Sequence, residues 1–235
     1  MSPAIQPRQF GDIPTLLATP DGASGRRPVV VWYHGFNAAK EAHATELARV
    51  ASLGMVAVGV DAVGHGERRL PDFDARKTGP MERVRGFMLE LAAATAAELP
   101  RLVAALADVE HADPRRVSVV GTSMGGYLVY CAVADHPDIR AAVALLGSPE
   151  WPGDPRSPHL RPEAFGRTAL LSITAQRDES VPPAATRAFH AELTAWSCRS
   201  APSGYRELAD APHLMNGAQW STAMDATVDW LRRYG

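Results

Sequence analysis

The chain has 235 residues, 46% of them apolar, and a formal net charge of −2. That length suits one α/β domain whose core buries about 70% of the surface its unfolded chain exposes. The balanced charge gives no electrostatic basis for a nucleic-acid partner or an anionic membrane, and no apolar stretch approaches the roughly 18 residues of a membrane span.

The first residues, MSPAIQPRQFGDIP, lack a charged-then-apolar leader pattern, so a cytoplasmic setting is expected. The opening reads as an antiparallel hairpin or edge strand closed by a Gly/Ser turn. Residues 28–34 (PVVVWYH) and 55–61 (MVAVGVD) read as buried strands. The helix between them is expected to be capped by Asn37, apolar along Leu47, Val50, Ala51 and Leu53, and ended by Gly54. Residues 79–111 form a long helical stretch that breaks near Pro100. Further strands follow at 116–121 (RVSVVG), 141–147 (AAVALLG), 169–175 (ALLSITA) and 203–210 (SGYRELAD). Between and after them, helices are expected over 127–137, stopped by His136-Pro137, over 182–196, and over 217–235 with Met224, Val228 and Leu231 on its core face.

Continuous apolar strands separated by helices imply an α/β fold: a mostly parallel, twisted sheet of about eight strands with helices on both faces. No repeat or linker divides the chain, so residues 1–235 are read as one domain. Residues 148–162 hold five prolines (149, 152, 155, 158 and 162) and cannot form a regular helix. They read as a shaped surface loop beyond the carboxyl end of a strand, where ligands bind in such sheets. Cys131 reads as a small buried hydrophobe and Cys198 as a residue just past a helix. Neither a disulfide nor a metal site is expected from them.

Residues 119–127, VVGTSMGGY, place Ser123 between a buried strand and a helix, with Gly121 and Gly125 two positions either side. Gly-x-Ser-x-Gly in that context is the pattern of a nucleophile elbow, though five residues alone do not carry the reading. A serine attacks only when a base takes its proton, usually a histidine held in one tautomer by a carboxylate. Of the histidines after Ser123, His136 belongs to a helix stop and His190 to a charged helix face read as solvated. His159 lies in the proline loop, and His213 stands between the last strand and the last helix. His213 is the expected base. Asp178, just past a strand and before a Pro-started helix, is the expected acid, with Glu179 and Asp210 as rivals. The amides of Met124, at a helix start, and of Phe36, in the loop YHGFNA, are the expected donors to an oxyanion. Trp151, Leu160 and Phe165 are assigned to a substrate pocket beside the serine, the alternative being a small core within the loop itself.

The segments YHGF, DAVGHGE (61–67), DPRRVSVVGTSMGG (113–126), RDESVPP and APH occur in an order that resembles the α/β-hydrolases. The chain is most similar to the bacterial esterases grouped near dienelactone hydrolases and prolyl-oligopeptidase-type domains. The resemblance implies a Ser-Asp-His triad, here Ser123, Asp178 and His213, hydrolysis of carboxylic esters or related acyl compounds, a small-molecule acyl substrate and no cofactor. It also implies a structural role for the turn around His65. Dienelactone hydrolases proper carry cysteine at the nucleophile, which argues against that specific reaction. The proline loop replaces a helical cap, which favours small, accessible substrates. An amidase, thioesterase or peptidase could use the same triad, and a non-catalytic binding module of this fold would be expected to have lost it.

Overall fold

The computed structural model describes residues 3–136, 138–196 and 199–235. The expectations for Cys198 and for Pro137 in the helix stop therefore lie outside the described residues. Eight strands form one sheet in the order β1-β2-β4-β3-β5-β6-β7-β8. They are β1 (Ala4–Phe10), β2 (Ile13–Thr19), β3 (Arg27–Tyr33), β4 (Val56–Val60), β5 (Ala112–Thr122), β6 (Ala141–Leu145), β7 (Ala169–Ala175) and β8 (Ser203–Leu208). The first two pair antiparallel as a hairpin, and β2 runs antiparallel to β4. From β4 to β8 every pairing is parallel. The hairpin expected at the start is present, and each apolar run reads out as a strand because both its faces are covered.

The covering helices are α1 (Ala44–Ala51), α2 (Phe73–Arg76), α3 (Met81–Ala96), α4 (Leu99–Ala105), α5 (Met124–Asp135), α6 (Ala184–Ala195) and α7 (Gly217–Tyr234). Alternate residues of β3 divide the core between two layers. Val29, Val31 and Tyr33 pack with α3–α6, whereas Val30 and Trp32 pack with α1 and α7. Helix α5 is buried almost all round, from Met124 to Val133, as a helix wedged between a sheet and other helices must be. Cys131 lies in it, buried, with its thiol pushed up to about 12 chiefly by loss of water. The break between α3 and α4 falls at residues 97–98, and Pro100 sits in the first turn of α4, where its missing amide is harmless. No helix of the described residues is long and apolar enough to cross a membrane.

Two local expectations are corrected. Asn37 does not cap α1: its φ is +65° and its side-chain oxygen accepts from Arg69 and Lys77. The helix is entered through a short 3-10 turn at Lys40–His43 instead. That turn is tied down from below, because the Asp61 carboxylate accepts from the Lys40 amide at 2.8 Å and its Nζ at 2.9 Å. His190 is not solvated but buried, between the hydroxyls of Ser203 (2.9 Å) and Ser172 (2.7 Å). Helix α6 turns that side chain toward β7 and β8, and burial pushes the imidazole down to about 4.

Candidate active site

Ser123 stands between β5 and α5 at φ 56°, ψ −114°, a conformation that costs about 1–3 kcal/mol and persists only where the surroundings impose it. Three glycines show how they do. A Cβ on Gly121 would lie 2.1 Å from the Gly125 carbonyl oxygen, one on Gly125 2.3 Å from the Tyr33 oxygen, and one on Gly126 2.7 Å from the Leu145 oxygen. The turn is therefore pressed against β3 and β6 more closely than any side chain permits. The Ser123 amide donates to the Leu145 carbonyl at 2.8 Å, which locks the turn to β6.

The three side chains singled out by the sequence meet here. Ser123 Oγ is 3.0 Å from His213 Nε2, and His213 Nδ1 is 2.6 Å from Asp178 Oδ2. With Nδ1–H donating to the carboxylate, Nε2 offers its lone pair to the serine hydroxyl. Asp178 is buried, and its other oxygen accepts the amides of Ser180 and Val181 at 2.9 and 2.8 Å. The carboxylate thus cannot rotate away from the ring. Both loops are laced together: the Arg177 amide donates to the Ala211 carbonyl at 2.8 Å, one residue before the acid and two before the base. The rival Asp210 is exposed and pairs with the Arg177 guanidinium on the outside of this clasp, so it braces the loop rather than facing the imidazole. Glu179 is exposed. Downstream, Asn216 and Gln219 form a reciprocal cap at the start of α7 (2.9 and 3.1 Å), which fixes the exit of the His213 loop.

Gly35 brings the loop after β3 alongside, its Cβ position 3.5 Å from Ser123 Cβ. Phe36 follows, its ring packed on His65, Phe73 and Phe87. Met124 is the first residue of α5, where an amide has no intrahelical acceptor and faces the positive end of the helix dipole. The neighbouring histidines are engaged with backbone groups. His34 is buried, accepts the Ala62 amide at Nε2 (3.0 Å), donates from Nδ1 to the Gly35 carbonyl (2.8 Å) and is pushed down to about 4 by burial. His65 Nδ1 bonds the Val63 carbonyl, and burial lowers that ring too. Among the described residues no cluster of three or more His, Cys, Asp or Glu side chains is placed to hold a metal ion.

A cleft of about 400 Å³ opens beside Ser123 and His213, with Phe36, Leu146, Met215 and Trp220 in its walls. Trp151, Leu160 and Phe165 are not among its lining residues, which corrects the pocket expected from the proline loop. Phe165 is buried between Tyr130 and Phe189, Trp151 is only 2% exposed within the main core, and Leu160 is 57% exposed. The loop folds back on itself, the Trp151 amide donating to Ser157 Oγ at 2.6 Å and the His159 ring bonding the same hydroxyl at 2.7 Å. Trp151 and Phe165 are used for packing in the main core instead. Of the wall residues, Leu214 and Met215 follow His213 directly and Trp220 comes soon after, whereas Phe36 and Leu146 lie just beyond β3 and β6. Proximity to the base in sequence was the available signal.

Residues 13–229 match the model of the dienelactone hydrolase family. The chain is 29% identical over 162 residues to esterase YjfP of Escherichia coli (strain K12), a match covering 68% of this chain and 62% of that protein. The matched stretch is thus less than two thirds of the relative's length. In three dimensions it is similar to a chain from Klebsiella pneumoniae subsp. pneumoniae, with 17% identity, all of both chains covered and a TM-score of 0.82. It is also similar to the dienelactone hydrolase-like promiscuous phosphotriesterase P91 from metagenomic libraries, with 18% identity, all of both chains covered and a TM-score of 0.74. With the sheet order, the elbow and a match reaching from β2 into α7, this chain belongs to the dienelactone hydrolase family of the α/β-hydrolase superfamily.

Proposed function

We propose that the chain is a serine esterase that hydrolyses carboxylic esters of small acyl groups through an acyl-enzyme. The reading is carried by one observation, the unbroken relay from Asp178 through His213 to Ser123, at 2.6 and 3.0 Å. Ser123 Oγ attacks the ester carbonyl while His213 Nε2 takes the hydroxyl proton, and Asp178 stabilises the imidazolium that forms. The amides of Phe36 and Met124 receive the oxyanion, commonly the largest electrostatic contribution to such a reaction. His213 then gives the proton to the leaving oxygen, and a water activated by the same ring releases the acyl group. No cofactor enters these steps. The name of the E. coli relative supports an ester substrate, and serine in place of cysteine at the elbow argues against the reaction of dienelactone hydrolases proper. The proposal places the activity in the cytoplasm, on a small-molecule substrate, with neither nucleic acid nor membrane as partner.

A fluorophosphonate probe tests the reading. Ser123 should label at neutral pH, Ser123→Ala should not, and that variant should lose about four orders of magnitude or more in ester turnover while melting as the wild type does. An unlabelled, inactive wild-type chain would favour a binding module. Faster turnover of an amide or thioester than of the ester with the same acyl group would move the substrate class.

A further inference from the structure

The cleft beside the triad is one-sided in its chemistry. Beyond Ser123 and His213 its walls are Gly35, Phe36, Thr122, Leu146, Leu214, Met215 and Trp220, and His213 is the only ionisable side chain among the described residues that line it. Apart from the Thr122 side chain, an occupant of that space meets methyls, a thioether, a phenyl ring and an indole, which suits an uncharged, mainly apolar group.

Proton traffic says which part of an ester lies there. As the bond from Ser123 Oγ to the acyl carbon forms, the hydroxyl proton moves to His213 Nε2. When the carbon–oxygen bond to the alcohol breaks, the same proton passes from Nε2 to the departing oxygen. That oxygen must therefore come within hydrogen-bond reach of Nε2. Whatever it carries lies along the wall that continues from His213: Leu214 and Met215 by sequence, Trp220 one turn into α7. The oxyanion and its amides lie on the side of Gly35 and α5. Resting on the serine-esterase reading, the geometry points to this wall as the subsite for the leaving alcohol, built for a single aromatic ring or a short branched alkyl group.

Trp220 sets the limit of the subsite because it is fixed from a distant element. Its Nε1–H donates to Glu46 Oε1 of α1 at 2.8 Å. Its ring stacks on His43 (6.1 Å, 28° between planes), which itself rests on the buried Trp32. Leu214, by contrast, is 87% exposed and forms the open lip. Trp220 is thus the specificity-determining residue and Glu46 positions it.

Two ester series separate alcohol from acyl selection: acetates of alcohols rising from methanol to naphthylmethanol, and p-nitrophenyl esters of lengthening acyl groups. Trp220→Ala, with Trp220→Phe as the variant that keeps a ring in the packing, should move the kcat/KM optimum of the first series to larger alcohols. The change in ratio should be about tenfold or more, the usual worth of pocket contacts. The relative kcat/KM values along the acyl series, in which the p-nitrophenyl leaving group is constant, and the deacylation rate after a p-nitrophenyl acetate burst should stay within about twofold, since the acetyl-enzyme no longer holds the alcohol. Glu46→Ala should reproduce part of the shift and Glu46→Gln, which keeps an acceptor for the indole, should not. A shift along the acyl series with altered deacylation, or no shift in either series, overturns the inference while Ser123 still labels with fluorophosphonate. Absence of labelling and of turnover in the wild type overturns the esterase reading and this inference with it.

Discussion

Acidification from pH 7 to pH 5 should cost this protein about 4 kcal/mol of stability through two histidines that take no part in the proposed chemistry. His34 and His190 are both buried, one at the end of β3 and the other on α6. Loss of water pushes each from the ordinary 6.5 to about 4. In the unfolded chain both return to the ordinary value, so below pH 6.5 the unfolded state takes up protons that the folded state refuses. Their contribution is whole above about pH 6.5, erodes as the pH falls, and levels off near pH 4. A shift of this size corresponds to about 3 kcal/mol for each ring in full, of which about 2 kcal/mol is gone by pH 5. Against a typical domain stability of about 5–15 kcal/mol, that loss is large. Buried or paired carboxylates such as Asp61 and Asp113 are held below their usual range, so their losses come at lower pH. Urea titrations at pH 7, 6 and 5 on the wild type and His190→Gln measure the effect. The glutamine amide can keep one of the two serine contacts but does not titrate. The variant should be weaker at pH 7 and lose about 2 kcal/mol less than the wild type between pH 7 and 5. Equal losses in the two proteins would refute the argument.

Asp178→Asn should lower kcat by several orders of magnitude, as loss of the orienting carboxylate does in such triads, while Asp210→Asn should leave kcat within about threefold. The reverse ranking in a p-nitrophenyl acetate assay would transfer the acid to Asp210. Lys40→Met should destabilise by about 3–5 kcal/mol, because it strands the Asp61 carboxylate at 0% exposure without its cation. Scanning calorimetry should show a fall in Tm on the order of 10 °C, and an unchanged Tm would mean that the pair contributes nothing.

The frame and the convergence of Ser123, His213 and Asp178 were legible for a common reason. Parallel strands covered on both faces must be apolar throughout, and the three residues of the proposed triad sit at the ends of such strands: the turn after β5, the loop after β7 and the loop between β8 and α7. What was not legible depends on contacts between segments far apart in the chain. Nothing in the sequence around Trp220 indicates that Glu46 holds its indole. A tryptophan and a phenylalanine in or just after a proline loop look alike whether they face a ligand or the protein's core, and Trp151 and Phe165 do the latter. His190 was misread because Glu192 and Arg187 on the same helix suggested a wet face. Its neighbours on β7 and β8 decide otherwise, with Ser172 and Ser203 offering the hydroxyls that make burial tolerable. Asn37 offered a cap and serves a tighter turn instead, since asparagine tolerates positive φ better than most residues.

The elbow has a consequence for how the molecule comes into being. Its backbone conformation is imposed by β3 and β6, its proposed acid hangs from β7, and its proposed base hangs from β8, the last of these eight strands to be synthesised. A nascent chain that already contains Ser123 therefore has neither the pressed turn nor the proton acceptor. Contacts of such long sequence separation form late, so the proposed activity appears in one step, when the sheet closes over its final parallel pairing. Until then the chain is chemically silent toward the esters around it. Fragments cut within the α6–β8 region would be silent as well, which makes hydrolysis a direct reporter of complete assembly.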